Sequence, residues 1–259
     1  MSDFFVRVEG LTYRYTNEEV LKNISFSVEK GKVLSILGPN GSGKSTLLKI
    51  IVGILRDYSG SVKILDKEVK EYSIKHLAMI ASYIPQEFSP VFDLKNFTIV
   101  SFGRNPHLSL FRGLNKRDYE IIEASMKSTE VYEFRERRCS TLSGGEKQRV
   151  IIAKSLAQEG QLLLLDEFTT HLDPGHSQKL LDLTLNLIKT NNLTAIMVAH
   201  DVNQAIKVSS EIMFLKDGKI ISKGHPEEVI TEELLEKVYG VKSKIIKNPI
   251  NGKPLVIFH

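Results

Sequence analysis

Residues Gly38 to Thr46 read Gly-Pro-Asn-Gly-Ser-Gly-Lys-Ser-Thr, and no other stretch constrains the fold as tightly. The apolar run Val33-Leu34-Ser35-Ile36-Leu37 precedes it and reads as a buried strand. Leu47-Leu48-Lys49-Ile50-Ile51 follows, with apolar spacing that suits a helix. Strand, glycine-rich loop and helix, in that order, are the context of a phosphate-binding P-loop, G-x-x-x-x-G-K-[ST]. Gly38, Gly41 and Gly43 let backbone N–H groups converge on an anion, with Pro39, Asn40 and Ser42 completing the loop. The helix start, through Thr46, adds the positive end of its dipole. Lys44 can reach the β and γ phosphates of a nucleotide, and the Ser45 hydroxyl can ligate Mg²⁺. An ordinary glycine-rich turn is the bland alternative, and the joint presence of Gly, Lys and Ser weighs against it.

A second motif says more than "nucleotide". Leu162-Leu163-Leu164-Leu165 reads as a buried strand, and Asp166 and Glu167 appear where it ends. Ligands of such sheets bind at the carboxyl edge of the strands. Asp166 is placed to hold Mg²⁺, and Glu167 to polarise a water toward the γ phosphate. A third motif is Leu142-Ser143-Gly144-Gly145-Glu146. Ser143 can cap the helix that follows, and the glycines leave N–H groups open toward an anion. Taken alone, such a turn is more often a plain cap; its place between P-loop and acidic strand end is what gives it meaning.

Short strand-like runs open the chain (Phe4–Val8, Ile24–Val28), and Gly60–Asp66 reads as turn and strand. Ile80–Ile84 is a further strand, closed by Pro85. From about Gln86 to Thr141 the spacing becomes helical, as in Tyr119, Ile122 and Met126, and the charge run Glu133–Arg138 reads as a solvated face. Strand and helix then alternate from Gln161 to Leu215, which predicts an α/β fold with a mostly parallel sheet. The tail predicts a helix over Glu232–Tyr239 and two further strands. One domain is expected over 1–259, its core made of 1–85 and 142–259 and its helical part of 86–141.

Composition excludes several classes. The net charge is +4, from 35 basic and 31 acidic side chains, too mild a balance for a nucleic-acid partner. Cys139 is the only cysteine, so no internal disulfide is possible. No run approaches the roughly 18 apolar residues of a membrane span, and the first residues lack a secretory pattern. A soluble chain is expected, reaching any membrane through a partner.

With these motifs together, the chain resembles the ATP-binding subunits of ABC transporters over nearly its whole length. Leu142–Glu146 matches the family signature, Gln86 the Q-loop, Leu172-Asp173 the D-loop and His200 the switch histidine. Tyr15 matches the aromatic that stacks on adenine, with Tyr13 a nearby competitor and core packing the alternative role. The resemblance implies ATP and Mg²⁺ as cofactors, and an ABC cassette with an antiparallel β subdomain and a helical subdomain. It implies Glu167, His200 and Lys44 as catalytic, with Ser45, Gln86 and Asp166 on the metal. Nucleotide contacts come from Tyr15, residues 38–46, Gln86, His200 and, from the opposite subunit, Ser143, Gly144, Gly145 and Glu146. It implies a head-to-tail homodimer on the inner face of the cell membrane, bound to permease subunits and served indirectly by an extracytoplasmic binding protein. One departure is Phe168, where the family usually has proline after the glutamate, which would set a large ring near the Mg²⁺ site.

The segment Gly103-Arg104-Asn105-Pro106-His107 resembles importers of metal chelates, as do His200-Asp201-Val202-Asn203-Gln204-Ala205 and the tail Val238-Tyr239-Gly240-Val241. That implies uptake of an iron siderophore, haem or cobalamin, with molybdate or zinc/manganese import as alternatives. Phe88, Val91 and Phe92 are candidates for the surface that receives the permease, or else pack in the core. A soluble ATPase of iron–sulfur assembly stays open. Translation factors of the family carry two cassettes, DNA-repair relatives a very long coiled coil, and a P-loop kinase would leave the signature turn unexplained.

Overall fold

The structure, a computed structural model, describes residues 3–88, 92–109, 113–170 and 172–259. Two compact units form, one from residues up to Tyr72 together with Thr194–His259, the other from Ser73–Leu193. The first begins with β1 (Phe4–Arg14), β2 (Glu19–Glu29), β3 (Val33–Leu37), α1 (Lys44–Ile51), β4 (Ser59–Ile64) and β5 (Lys67–Glu68). The second holds α2 (Ile74–Ile80), β6 (Ala81–Ile84), α3 (Asn96–Ser101), α4 (Lys116–Ser128), α5 (Gly144–Ala157), β7 (Leu162–Asp166) and α6 (Pro174–Thr190). The chain then returns to the first with β8 (Thr194–Val198), α7 (Val202–Val208), β9 (Glu211–Lys216), β10 (Lys219–Gly224), α8 (Pro226–Val229), α9 (Glu232–Tyr239), β11 (Ser243–Lys247) and β12 (Pro254–Phe258).

In the first unit β2-β1-β4-β5 make an antiparallel sheet. Beside it, β10, β9, β3 and β8 are neighbours in that order, with β9, β3 and β8 parallel. β3 is buried along its whole length, as expected of a parallel strand covered on both faces. Its one hydroxyl, Ser35, is satisfied by Ser209 Oγ at 2.5 Å, so no buried polar atom is orphaned there. In the second unit β6 and β7 pair in parallel, and the four leucines of β7 are at most 4% exposed. The α/β fold with mostly parallel core strands, an antiparallel sheet and helices agrees with the sequence reading.

Element bounds depart from the expectations where turns decide them. β1 runs on to Arg14 because Gly10, at φ 60°, lets the strand bulge between Val8 and Leu11 and resume. Leu65 and Asp66, read as strand, adopt left-handed φ values of 51° and 63° and turn the chain from β4 into β5. Ile80 closes a helix instead of opening a strand, because Ser73 caps α2 by accepting from the His76 N–H. In α4, opened by an Asn115–Asp118 capping box, the helical spacing buries Ile122 and Met126 and leaves Tyr119 half in solvent. The charge run is solvated, with exposed pairs Lys95–Glu136 and Arg138–Asp93. Among the described residues no helix is long and apolar enough to cross a membrane.

Candidate functional site

Strand register brings the first group of residues together. Ile36 of β3 lies opposite Val198 of β8, and the Ala199 N–H donates to the Ile36 carbonyl at 3.1 Å. Neighbouring strands run about 4.8 Å apart, so Gly38 and exposed His200 leave the same sheet edge side by side. Gly43 caps α1 at φ 100°, a conformation closed to residues with a Cβ, and so sets the helix start against the loop. Gly38 tolerates no side chain at all, because a Cβ would lie 1.9 Å from the Leu215 carbonyl oxygen.

Inside this loop the chemistry suits an anion. Lys44 Nζ, almost buried, donates to the carbonyls of Gly38 (2.9 Å) and Pro39 (3.0 Å). Its charge is thus held within the loop, where a phosphate oxygen is a better acceptor than either carbonyl. Ser42 Oγ is buried with no hydrogen-bond partner among the described residues, an orphan that a phosphate would satisfy. Asn40 and Gly41 are exposed at the loop's tip, Ser45 is half-buried and Thr46 is buried. Tyr15 Oη lies 3.3 Å from Thr46 Oγ1, and its ring is 56% exposed and meets Tyr13 edge-on. Tyr13 is buried, so of the two tyrosines only Tyr15 offers a free face on which a flat base could stack.

The second unit repeats the logic of register. Ile84 of β6 lies opposite Leu165 of β7, so half-buried Gln86 and the Asp166–Glu167 pair leave neighbouring strand ends. Tyr83 Oη donates to Asp166 Oδ2 at 2.8 Å and fixes that carboxylate. Glu167 takes φ 46°, rare for a residue with a side chain, and its carbonyl accepts from the Thr170 N–H at 3.0 Å. Local strain of this kind gathers where the chain must aim a functional group. Phe168, expected to set a large ring near the metal site, is 2% exposed and buried beside the equally buried Asp166 and Glu167.

The signature turn is built as a cap. The Glu146 N–H donates to Ser143 Oγ (3.4 Å), and the Ser143 N–H donates to Glu146 Oε2 (2.7 Å). That backbone donor and the Ser143 side chain hold the Glu146 carboxyl below its usual range. The Glu146 side chain is therefore engaged in shaping the turn, while Ser143 and Gly144 face solvent and Gly145 is half-buried. Asp173 caps α6 through the Gly175 and His176 N–H groups. Leu172 touches the signature: a Cβ on Gly144 would meet its Cδ2 at 3.4 Å. His171 and Val91 lie outside the described residues. Phe92 is 73% exposed, and Phe88 is half-buried with Lys154 Nζ 5.8 Å from its ring centre.

The ABC transporter family model matches residues 21–170. The chain belongs to the ABC transporter family of ATP-binding proteins. It is 38% identical over 249 residues to the iron(3+)-hydroxamate import ATP-binding protein FhuC of Bacillus subtilis, covering 96% of this chain and 93% of that protein. To the ferric enterobactin transport ATP-binding protein FepC of Escherichia coli it is 36% identical over 252 residues, covering 97% and 93%. Among solved structures, an inward-facing metal-chelate type ABC transporter superposes with a TM-score of 0.87 at 26% identity, over 100% of this chain and 98% of that one.

In this ABC cassette the Gly103–His107 motif is a staple of the helical segment. Gly103 lies so close to α5 that a Cβ would meet the Lys154 carbonyl at 2.2 Å. That approach lets Arg104, 3% exposed, bridge three groups: Asp118 Oδ1 at 2.9 Å, Glu159 Oε2 at 2.7 Å and the Ala157 carbonyl at 2.7 Å. The Asn115 N–H and the Arg104 guanidinium keep the Asp118 carboxyl below its usual range. His107 Nε2 meets the Gln158 carbonyl at 2.9 Å. Sequence reasoning missed Tyr83 and Asn203 as supporting residues. Tyr83 carries no local signal, because its role needs the β6–β7 register; Asn203 stood in a recognised motif but without a partner.

Proposed function

We propose that this chain is the ATP-hydrolysing subunit of an importer that takes up an iron chelate such as a siderophore. Near-full-length similarity to two import subunits for iron(3+)-hydroxamate and ferric enterobactin carries the reading. The loop chemistry supports its energetic half: a buried lysine and an orphaned hydroxyl converge where a triphosphate would lie. Lys44 and Ser42 bind phosphate oxygens, Tyr15 stacks on the base, and His200 donates to the γ phosphate. In the second unit Glu167 orients the attacking water and takes its proton, while the Tyr83 hydroxyl keeps Asp166 in place. Ser45 in the first unit offers a hydroxyl, and Gln86 and Asp166 in the second an amide and a carboxylate oxygen, donor types that would suit Mg²⁺, which would neutralise phosphate charge.

Lys44→Ala abolishes both ATP turnover and chelate uptake when the subunit is reconstituted with its permease. Unchanged turnover removes Lys44 from the site; turnover lost with chelate uptake intact removes the transport reading. The exposed Ser143–Gly144 turn supports a head-to-tail dimer in which one copy's signature completes the other's nucleotide site. Ser143→Arg then blocks turnover, and mixing it with Lys44→Ala protein restores part of the activity. No recovery in the mixture counts against shared sites. Membrane attachment through the permease follows from the same reading.

A further inference from the structure

Helix α7 begins two residues after His200 and is seven residues long. A helix this short does not hold itself together in water, so its packing partners set its position. The β11–β12 hairpin grips it at both ends. Asn203 Nδ2 donates to the Val256 carbonyl at 2.9 Å, and the Val256 N–H donates to Asn203 Oδ1 at 2.8 Å. The amide thus pairs with the edge of β12 as another strand would. At the other end Lys253 Nζ donates to the carbonyls of Ile206 (3.2 Å) and Lys207 (3.1 Å), acceptors left over where a helix stops.

Between these polar grips Ala205, Ile206 and Val256 share one apolar cluster with Val238 of α9 and with Leu37, the residue before Gly38. Tyr239 follows on α9 and meets Phe258 of β12 edge-on, ring centres 5.9 Å apart. Burial pushes its phenol up to about 12, a rise that the Gly38 backbone opposes. His200 itself hangs from the cap of α7, where Asp201 Oδ1 accepts from the Asn203 and Gln204 N–H groups. Apolar packing alone would let a two-turn helix slide or rotate; directional bonds at both ends fix it.

We propose that the C-terminal hairpin is a positioning element of the ATP site, acting through Asn203 and Lys253 on α7 so that its cap presents His200 to the γ phosphate. The inference rests on the ATPase reading and deepens it. In the full-length chain Asn203→Ala lowers the turnover number about tenfold and leaves MgATP affinity within about twofold, the pattern of a lost transition-state contact. Lys253→Met has the same sign and a smaller size. In a His200→Ala background Asn203→Ala costs nothing further, since residues that act as a unit are not additive. The His200 imidazole resonance, assigned by its disappearance in His200→Ala, shifts or broadens in both Asn203→Ala and Lys253→Met. Equal losses in the two backgrounds, or an unmoved imidazole resonance alongside a lowered melting temperature, make the hairpin merely structural and overturn the proposal. A wild-type chain that binds MgATP without turnover sinks the ATPase reading separately, and the imidazole resonance still decides the hairpin's role.

Discussion

Glu167→Gln lowers ATP turnover by about 10²–10⁴-fold, the usual worth of a positioned general base, and leaves nucleotide binding in place. The substitution keeps the shape of the side chain and one oxygen acceptor, and removes only the capacity to take a proton. Glu167 is 8% exposed and stands at φ 46°, at the end of a strand whose four leucines anchor it. The backbone therefore aims the group, and the aim survives the change. Because the triphosphate persists, the variant also accumulates as a dimer in the presence of MgATP, visible as a shift in size-exclusion elution. Turnover at the original rate would falsify the assignment of Glu167 as base. Loss of binding as well as turnover gives it a role in holding the nucleotide instead.

Arg104→Met destabilises the fold by about 3–5 kcal/mol, the cost of leaving a partner charge buried alone. For a chain of this size roughly 2–4 °C accompanies each kcal/mol, so the melting temperature falls by roughly 6–20 °C. The expectation rests on burial: both side chains of the Arg104–Asp118 pair are 4% exposed. Without the guanidinium, Asp118 keeps only the Asn115 N–H as a hydrogen-bond donor among the described residues, and the Ala157 carbonyl loses the Arg104 donor. Arg104→Met combined with Asp118→Leu recovers much of the loss, because a buried ion pair and a well-packed apolar pair differ little in net stability. Scanning calorimetry on the three variants decides the matter. A single variant that melts with the wild type means that water reaches the pair, and that the motif has another purpose.

That second result concerns a motif whose resemblance was legible in the sequence but whose work was not. Gly103-Arg104-Asn105-Pro106-His107 marked the chain as similar to metal-chelate importers, yet nothing in the string says that Arg104 reaches across to Asp118 and Glu159. Phe168 shows the same limit from the other side. A large residue beside two acidic ones reads as a ring near the metal site, and the string does not say that it is buried to 2% exposure.

The P-loop, the acidic strand end and the signature turn were readable because each is local. Their local geometry depends on backbone N–H groups and side chains within a few residues, and glycines, caps and apolar runs encode that geometry directly. The opposite holds for Tyr83 on Asp166, for Asn203 on Val256 and for Arg104 in its cluster. Those partners lie far apart in sequence and meet only once strand register and helix packing have fixed their distances. Local chemistry thus pointed to the candidate groups, and tertiary packing chose which neighbours hold them still.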